Sequence, residues 1–170
     1  MATANLVPNG TVKIVMYSLG PYTNLDDIPY DDTDYVYASG IGCSGYYSYT
    51  DMPEYGIILG ATIYFRCWKV GSDPGYASAG FWIDDNLYSP NTVYPTATPT
   101  TYSNSSSNNP KTGVAWTYND INSIATKLSM AGTWSTTTVY CSQIYIQVNY
   151  TPSATPSYFI PKIMKHKSIP

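Results

Sequence analysis

The sequence predicts an all-β domain built as an antiparallel β-sandwich, and three observations carry that expectation. Strand-like runs recur with Gly, Pro, Asn and Asp between them, the rhythm of a sandwich or barrel. The clearest of these runs alternate apolar and polar residues with a period of two, as half-buried antiparallel strands do. Composition agrees: 19 Tyr against 3 Phe and only 11% charged residues, where a typical soluble domain has about 25%.

Length and charge exclude several classes. A chain of 170 residues buries roughly 70% of its unfolded surface and needs no metal or disulfide framework to fold. Aromatic content of 15% with so little charge is the opposite of a disordered chain. The net charge is −3, with eight Lys and Arg scattered until the last nine residues, so no basic field exists for phosphate contacts and nucleic acid is not an expected partner. No apolar run approaches the roughly 18 residues of a membrane span, so a membrane is not expected either. Residues 1–6 lack the basic start and apolar core of a secretory signal. Asn9, Asn104 and Asn149 stand in Asn-x-Ser/Thr triplets, which a Ser/Thr/Asn-rich chain produces by chance.

In chain order, an opening strand runs from Thr11 to Ser18 after a Pro-Asn-Gly turn, and short Tyr-rich strands follow at 34–38 and 45–49. The segment 60–70 is the best central strand, with Ala61, Ile63, Phe65 and Cys67 on one face and Thr62, Tyr64, Arg66 and Trp68 on the other. Asp73-Pro74-Gly75 is a turn, Pro setting φ and Gly admitting positive φ. The next strand, 78–84, alternates Ala79, Phe81 and Ile83, so the pair reads as a hairpin or meander. Residues 89–111 read as a strand edge and then a polar, mobile loop. A helix is expected over 118–126: Thr117 stands three residues before Asp120 as in a capping box, and Ile121, Ile124, Ala125 and Leu128 follow at helical spacing. The last strand, 137–150, turns Ile144, Ile146, Val148 and Tyr150 inward and Gln143, Gln147 and Asn149 outward. Beyond it, residues 152–170 read as an extended C-terminal arm, a Thr/Pro/Ser linker followed by an apolar patch and a basic end.

Candidate sites are few. Asp26, Asp27, Asp31, Asp32 and Asp34 place five carboxylates in nine residues; oxygen ligands at that density suit Ca²⁺, although no EF-hand pattern is present and a solvated acidic loop is the simpler account. This calcium ion is the one cofactor the sequence suggests. Tyr158, Phe159, Ile160, Ile163 and Met164, with Lys162, Lys165 and Lys167, are expected to contact a neighbouring subunit, and the acidic loop offers that basic end an opposite charge. Cys43, Cys67 and Cys141 read as buried reduced thiols, with a Cys67–Cys141 bridge available if their strands are neighbours. No catalytic set is expected. His166, the one histidine, lies in the tail, and Asp84 and Asp85 would point to opposite sides of a strand. Aromatics carry the remaining signal: Tyr46, Tyr47, Tyr49, Tyr55, Tyr76, Tyr88, Tyr94 and Tyr102 are expected at turns and strand edges, with Trp82 and Trp134 on or beside polar sides. Such residues stack on sugar rings or make protein contacts, where Tyr and Trp are enriched.

The segments 31–36 (DDTDYV), 58–69 (ILGATIYFRCWK), 113–122 (GVAWTYNDIN) and 142–150 (SQIYIQVNY), in that order, resemble the jelly-roll modules of tailed-phage virion proteins such as head decorations and fibres. They are also similar to β-sandwich modules appended to secreted and cell-surface proteins. The resemblance spans about residues 8–151, centres on Trp116 before the short helix and the long final strand, and carries over no catalytic residue. It implies a jelly-roll-like sandwich and a structural role: a virion protein, such as a capsid decoration, attached multivalently to copies of itself or to a major capsid or tail protein. The alternatives are a carbohydrate-binding or adhesive module and a cell-surface filament subunit, placed outside the cell or on its surface rather than in a virion assembled in host cytoplasm.

Overall fold

A computed structural model of the chain describes residues 1–15, 22–40, 42–53, 56–132 and 136–153. Two five-stranded antiparallel sheets form a sandwich of jelly-roll type. The strands are β1 (Ala2–Leu6), β2 (Pro8–Val15), β3 (Val36–Ser39), β4 (Cys43–Tyr49), β5 (Gly56–Val70), β6 (Gly75–Ile83), β7 (Asn86–Val93), β8 (Thr100–Ser106), β9 (Ala125–Gly132) and β10 (Thr138–Pro152); among the described residues there is also a 3-10 turn at Tyr22–Asn24 and one short α-helix, α1 (Tyr118–Asn122). The first sheet is ordered β1-β10-β5-β8, with β3 also on β10; the second is β2-β4-β9-β6-β7.

The period-two patterns do what they predict. Ala61, Ile63, Phe65 and Cys67 of β5 and Ile144, Ile146, Val148 and Tyr150 of β10 all turn into the core, where they meet Tyr47, Ala77, Ala79, Phe81, Leu128 and Met130 from the second sheet. Between β5 and β10 the pairing runs from Thr138 opposite Val70 to Pro152 opposite Gly56, with irregularities at Cys141/Gln143 and Asn149/Tyr150.

Several expectations are corrected. The Asp-Pro-Gly turn does not close a hairpin, because β5 and β6 belong to different sheets and the turn carries the chain across the sandwich. Residues 100–106 are not loop but an edge strand paired with β5. The helix stops at Asn122; Thr117 and Asp120 do form the capping box, but Ala125 and Leu128 belong to β9, an interior strand between β4 and β6. Helical spacing there was a coincidence of Ile124, Ala125 and Leu128, while Thr126, Leu128 and Met130 keep the strand alternation. An additional first strand, β1, pairs with β10, and β2 begins at Pro8, three residues earlier than expected. Most of the expected arm, from residue 154 on, lies outside the described residues.

Candidate functional site

The outward face of the first sheet gathers side chains that lie far apart in sequence. Because alternate residues share a face, β5 sends out Thr62, Tyr64, Arg66 and Trp68, while β10 answers with Gln147, Tyr145 and Tyr140 at the paired positions. Tyr37 of β3 stands opposite Tyr140. Ser105, Ser103 and Thr101 of β8 flank β5.

One end of this face is aromatic. Trp68 and Tyr140 stack with ring centroids 5.2 Å apart and planes 9° from parallel. Tyr35 sets its edge against both, at 5.7 Å from Trp68 and 5.0 Å from Tyr140, and Tyr37 tilts against Tyr140 at 6.0 Å. Four residues along β5, roughly 13 Å away, Tyr64 and Tyr145 form a second stacked pair at 5.0 Å. Beyond them the surface turns polar and uncharged: Thr62 and Ser105 share a hydroxyl hydrogen bond of 3.0 Å, Gln147 donates to Asn5 at 3.1 Å, and a shallow hollow of about 240 Å³ opens between Leu59, Thr62, Ser105 and Asn149.

Between the two aromatic pairs sits one ion pair. Arg66 donates to both oxygens of Asp32, each at 2.8 Å, Ser142 donates to the same carboxylate at 2.7 Å, and the Tyr30 ring lies 3.8 Å from the guanidinium carbon. Hydrogen bonds from Arg66 hold the Asp32 carboxyl below its ordinary value, and Asp32 in turn raises Arg66. The bidentate geometry neutralises both charges, which leaves the face without net charge here.

The segment that delivers Tyr30, Asp32 and Tyr35 is fastened to a gap in the sheet. β3 pairs with β10 at residues 138–141 and β1 at 146–150, so the edge between them is open to another partner. The chain fills it: the Ile144 backbone amide donates to Leu25 O at 3.1 Å, the Gln143 side-chain Nε2 donates to Asp27 O, and Leu25 is fully buried. Asn24 closes the segment by donating to Tyr35 O at 3.2 Å. Gln143, expected outward and solvated, is buried beneath this segment.

The residues singled out from sequence are mostly elsewhere. The five carboxylates do not converge: Asp31 accepts from the Thr33 amide and hydroxyl at 2.8 and 2.7 Å, which lower its carboxyl, and Asp32 is committed to Arg66. Among the described residues no group of three or more His, Cys, Asp or Glu side chains is arranged to hold a metal ion. Tyr158, Phe159, Ile160, Lys162, Ile163, Met164, Lys165, Lys167 and His166 lie outside the described residues, as do Tyr55 and Trp134. Tyr46, Tyr47 and Tyr49 are not at a turn or edge but in β4, inside the second sheet, and all three are buried. Asp84 and Asp85 are not on opposite sides of a strand; they form the turn between β6 and β7 with φ of 46° and 61°, and Asp84 pairs with Lys111. The residues that build the aromatic face were visible only in part: the sequence grouped Thr62, Tyr64, Arg66 and Trp68 on one face of β5, but not their meeting with Tyr35, Tyr37, Tyr140 and Tyr145. A signal existed, since Tyr140 and Tyr145 lie within a strand already recognised.

No family model matches the chain, and no curated protein matches its sequence. Among solved structures it is similar to the CBM36-1 domain of a multidomain xylanase from the hindgut metagenome of Trinervitermes trinervoides, at 10% identity and a TM-score of 0.47, covering 89% of this chain and 100% of that one. It is also similar to a family 11 carbohydrate-binding module of a cellulosomal cellulase of Clostridium thermocellum, at 10% identity, a TM-score of 0.39 and 91% of each chain. A third likeness is to the enzymatically active domain of bacteriophage CBA120 tailspike protein 4, at 12% identity and a TM-score of 0.43, covering 86% of this chain and 19% of that one. At such low identity and TM-score these likenesses carry no argument about what this chain binds.

Proposed function

We propose that the chain is a non-catalytic glycan-binding module and that the outward face of the first sheet is its binding surface. The observation that carries this reading is the alignment of two stacked aromatic pairs, Trp68/Tyr140 and Tyr64/Tyr145, along adjacent strands with hydroxyl and amide side chains beside them. A pyranose offers an apolar face of C–H groups and a rim of hydroxyls. Aromatic rings take up the first and Ser, Thr, Asn and Gln side chains the second, so a few placed polar groups on an apolar floor define the site. Because Arg66 and Asp32 neutralise one another, the favoured ligand is uncharged. Because the aromatic pairs and the polar hollow follow one strand, the ligand is elongated and lies along β5.

Retention of the whole chain in native gels cast with neutral polysaccharides (xylan, β-glucan, galactan, mannan) tests this directly. At least one should retard it, and Trp68→Ala and Tyr64→Ala should each abolish the retardation while the far-ultraviolet circular dichroism stays unchanged. Migration unaltered by every polysaccharide, or retardation indifferent to both substitutions, overturns the reading.

A second reading, a subunit of a virion or filament, is favoured by a different observation. Charge is only 11% of the chain, and Val12, Ile57, Val70, Tyr94 and Val114 are all more than half exposed, an apolar surface that neighbours could cover. Light scattering separates the two: a monomer at all concentrations that binds glycan excludes assembly as the chain's principal role, and a concentration-dependent oligomer indifferent to glycan supports it.

A further inference from the structure

Cys67 and Cys141 occupy directly opposed positions on β5 and β10. Both side chains turn to the core side of the sheet, both are fully buried, and both are thiols in this structure. We propose that this pair is a cross-strand disulfide site, closed during folding by exchange with a low-molecular-weight disulfide such as oxidised glutathione. The inference is independent of the glycan reading.

The backbone already meets the geometric demand. Directly opposed residues of an antiparallel pair have Cα atoms about 4.5–5.5 Å apart, inside the roughly 4.4–6.8 Å that disulfides span. The two sulfurs are in contact: burial chiefly, and then a hydrogen bond that the Cys67 thiol donates to Cys141, raise the Cys67 thiol, while the Cys141 thiol donates to Gln143 O at 3.3 Å. Cys43 is no competitor. It lies in the second sheet, opposite Met130, and burial pushes its thiol up to about 11.

Burial also sets when the bond forms. Exchange needs a thiolate with access to the oxidant, and in the folded chain both cysteines are fully buried. The thiolate of one cysteine therefore attacks glutathione disulfide before the sandwich closes. That step forms a mixed disulfide and releases one glutathione thiolate; the second cysteine thiolate then displaces the other. Two protein thiols are oxidised, each losing its proton to solvent, and one glutathione disulfide is reduced to two thiols. The cross-link closes the chain from residue 67 to residue 141 and removes a large share of the unfolded chain's freedom.

The test is refolding of the fully reduced, denatured chain in parallel in a glutathione redox buffer and in dithiothreitol, followed by mass measurement and mapping of linked peptides. The redox-buffered product should weigh two hydrogens less, carry a Cys67–Cys141 link, leave Cys43 alkylatable on denaturation, and melt about 10 °C above the reduced form. The folded reduced chain, given the same buffer without denaturant, should keep all three thiols. Three free thiols after oxidative refolding, a link through Cys43, or a chain that folds only under reductant would each overturn the proposal.

Discussion

Trp68 and Tyr140 stand opposite one another on β5 and β10 with their rings stacked 9° from parallel, so a single cross-strand pair both ties the two strands together and marks one end of the proposed site. Cross-strand aromatic pairs contribute about 0.5–1.5 kcal/mol beyond the area they bury. Trp68→Ala and Tyr140→Ala should each lower stability in urea, and the double variant should lose less than the sum of the two. A coupling of about 1 kcal/mol in this cycle is the expected outcome. Additive losses would show that the stacking does not hold the strands.

Asp32 gives the same face a dependence on acid. Its carboxyl lies below the ordinary 3.8 because Arg66, chiefly, and Ser142 donate to it, against a desolvation effect that raises it. A carboxyl with a lower value folded than unfolded adds stability that is complete above 3.8 and disappears as the pH falls through the folded value. Asp32→Asn keeps the shape but loses the charge, so at neutral pH it should cost about 1–2 kcal/mol, the scale of a partly covered charged hydrogen bond. Measured by urea unfolding at a series of pH values, the gap between parent and variant should shrink steadily below 3.8. A gap independent of pH would mean that the ion pair is not what fastens the segment.

In the core, Tyr47 folds back over Gly45 of its own strand. A Cβ added at Gly45 would sit 2.7 Å from the Tyr47 Cζ and closer still to the hydroxyl. The ring is fully buried and cannot swing out to solvent. Gly45→Ala should therefore cost about 1–3 kcal/mol, the range for overpacking a filled core. The Tyr47 hydroxyl itself has no hydrogen-bond partner among the described residues. A buried polar group left unpaired costs about 1–3 kcal/mol, so Tyr47→Phe should raise the melting temperature, and it should soften the Gly45→Ala loss when the two are combined. A lower melting temperature for Tyr47→Phe would reveal a partner for the hydroxyl.

What the sequence disclosed follows from how local each signal is. β5 and β10 were legible because their core side is apolar at every second residue, and the capping box because it involves residues three apart. β8 was not, since Thr-Thr-Tyr-Ser-Asn-Ser-Ser has no apolar face; it is a strand because β5 supplies its partners and Asn104 ties it to Ala79 O at 3.1 Å. Strand preference of that kind is a property of the neighbours more than of the residues. The same holds for the site. Tyr35 and Trp68 touch only because the segment ahead of β3 is anchored at Leu25 and Gln143, a long-range arrangement with no spacing signature.

The helix is where local and tertiary preferences meet, and it gives the sharpest separable test. Thr117 Oγ1 accepts from the Asp120 amide at 3.1 Å, and the Asp120 carboxylate accepts from the Thr117 amide at 2.8 Å. Those bonds start a helix that ends within five residues, since Ile124 is already turned to the core and Ala125 pairs with Trp82 and Ser48. The cap thus fixes the point at which the chain drops into β9, an interior strand of the second sheet. Thr117→Ala should cost about 1 kcal/mol, as other N-cap losses do, whereas Thr117→Ser, which keeps the acceptor, should cost little. Hydrogen exchange then locates the effect: protection should fall at the Asp120 and Ile121 amides while Leu128 and Met130 in β9 keep theirs. Loss of protection along β9 as well would mean that the helix start, rather than pairing with β4 and β6, holds that strand in place.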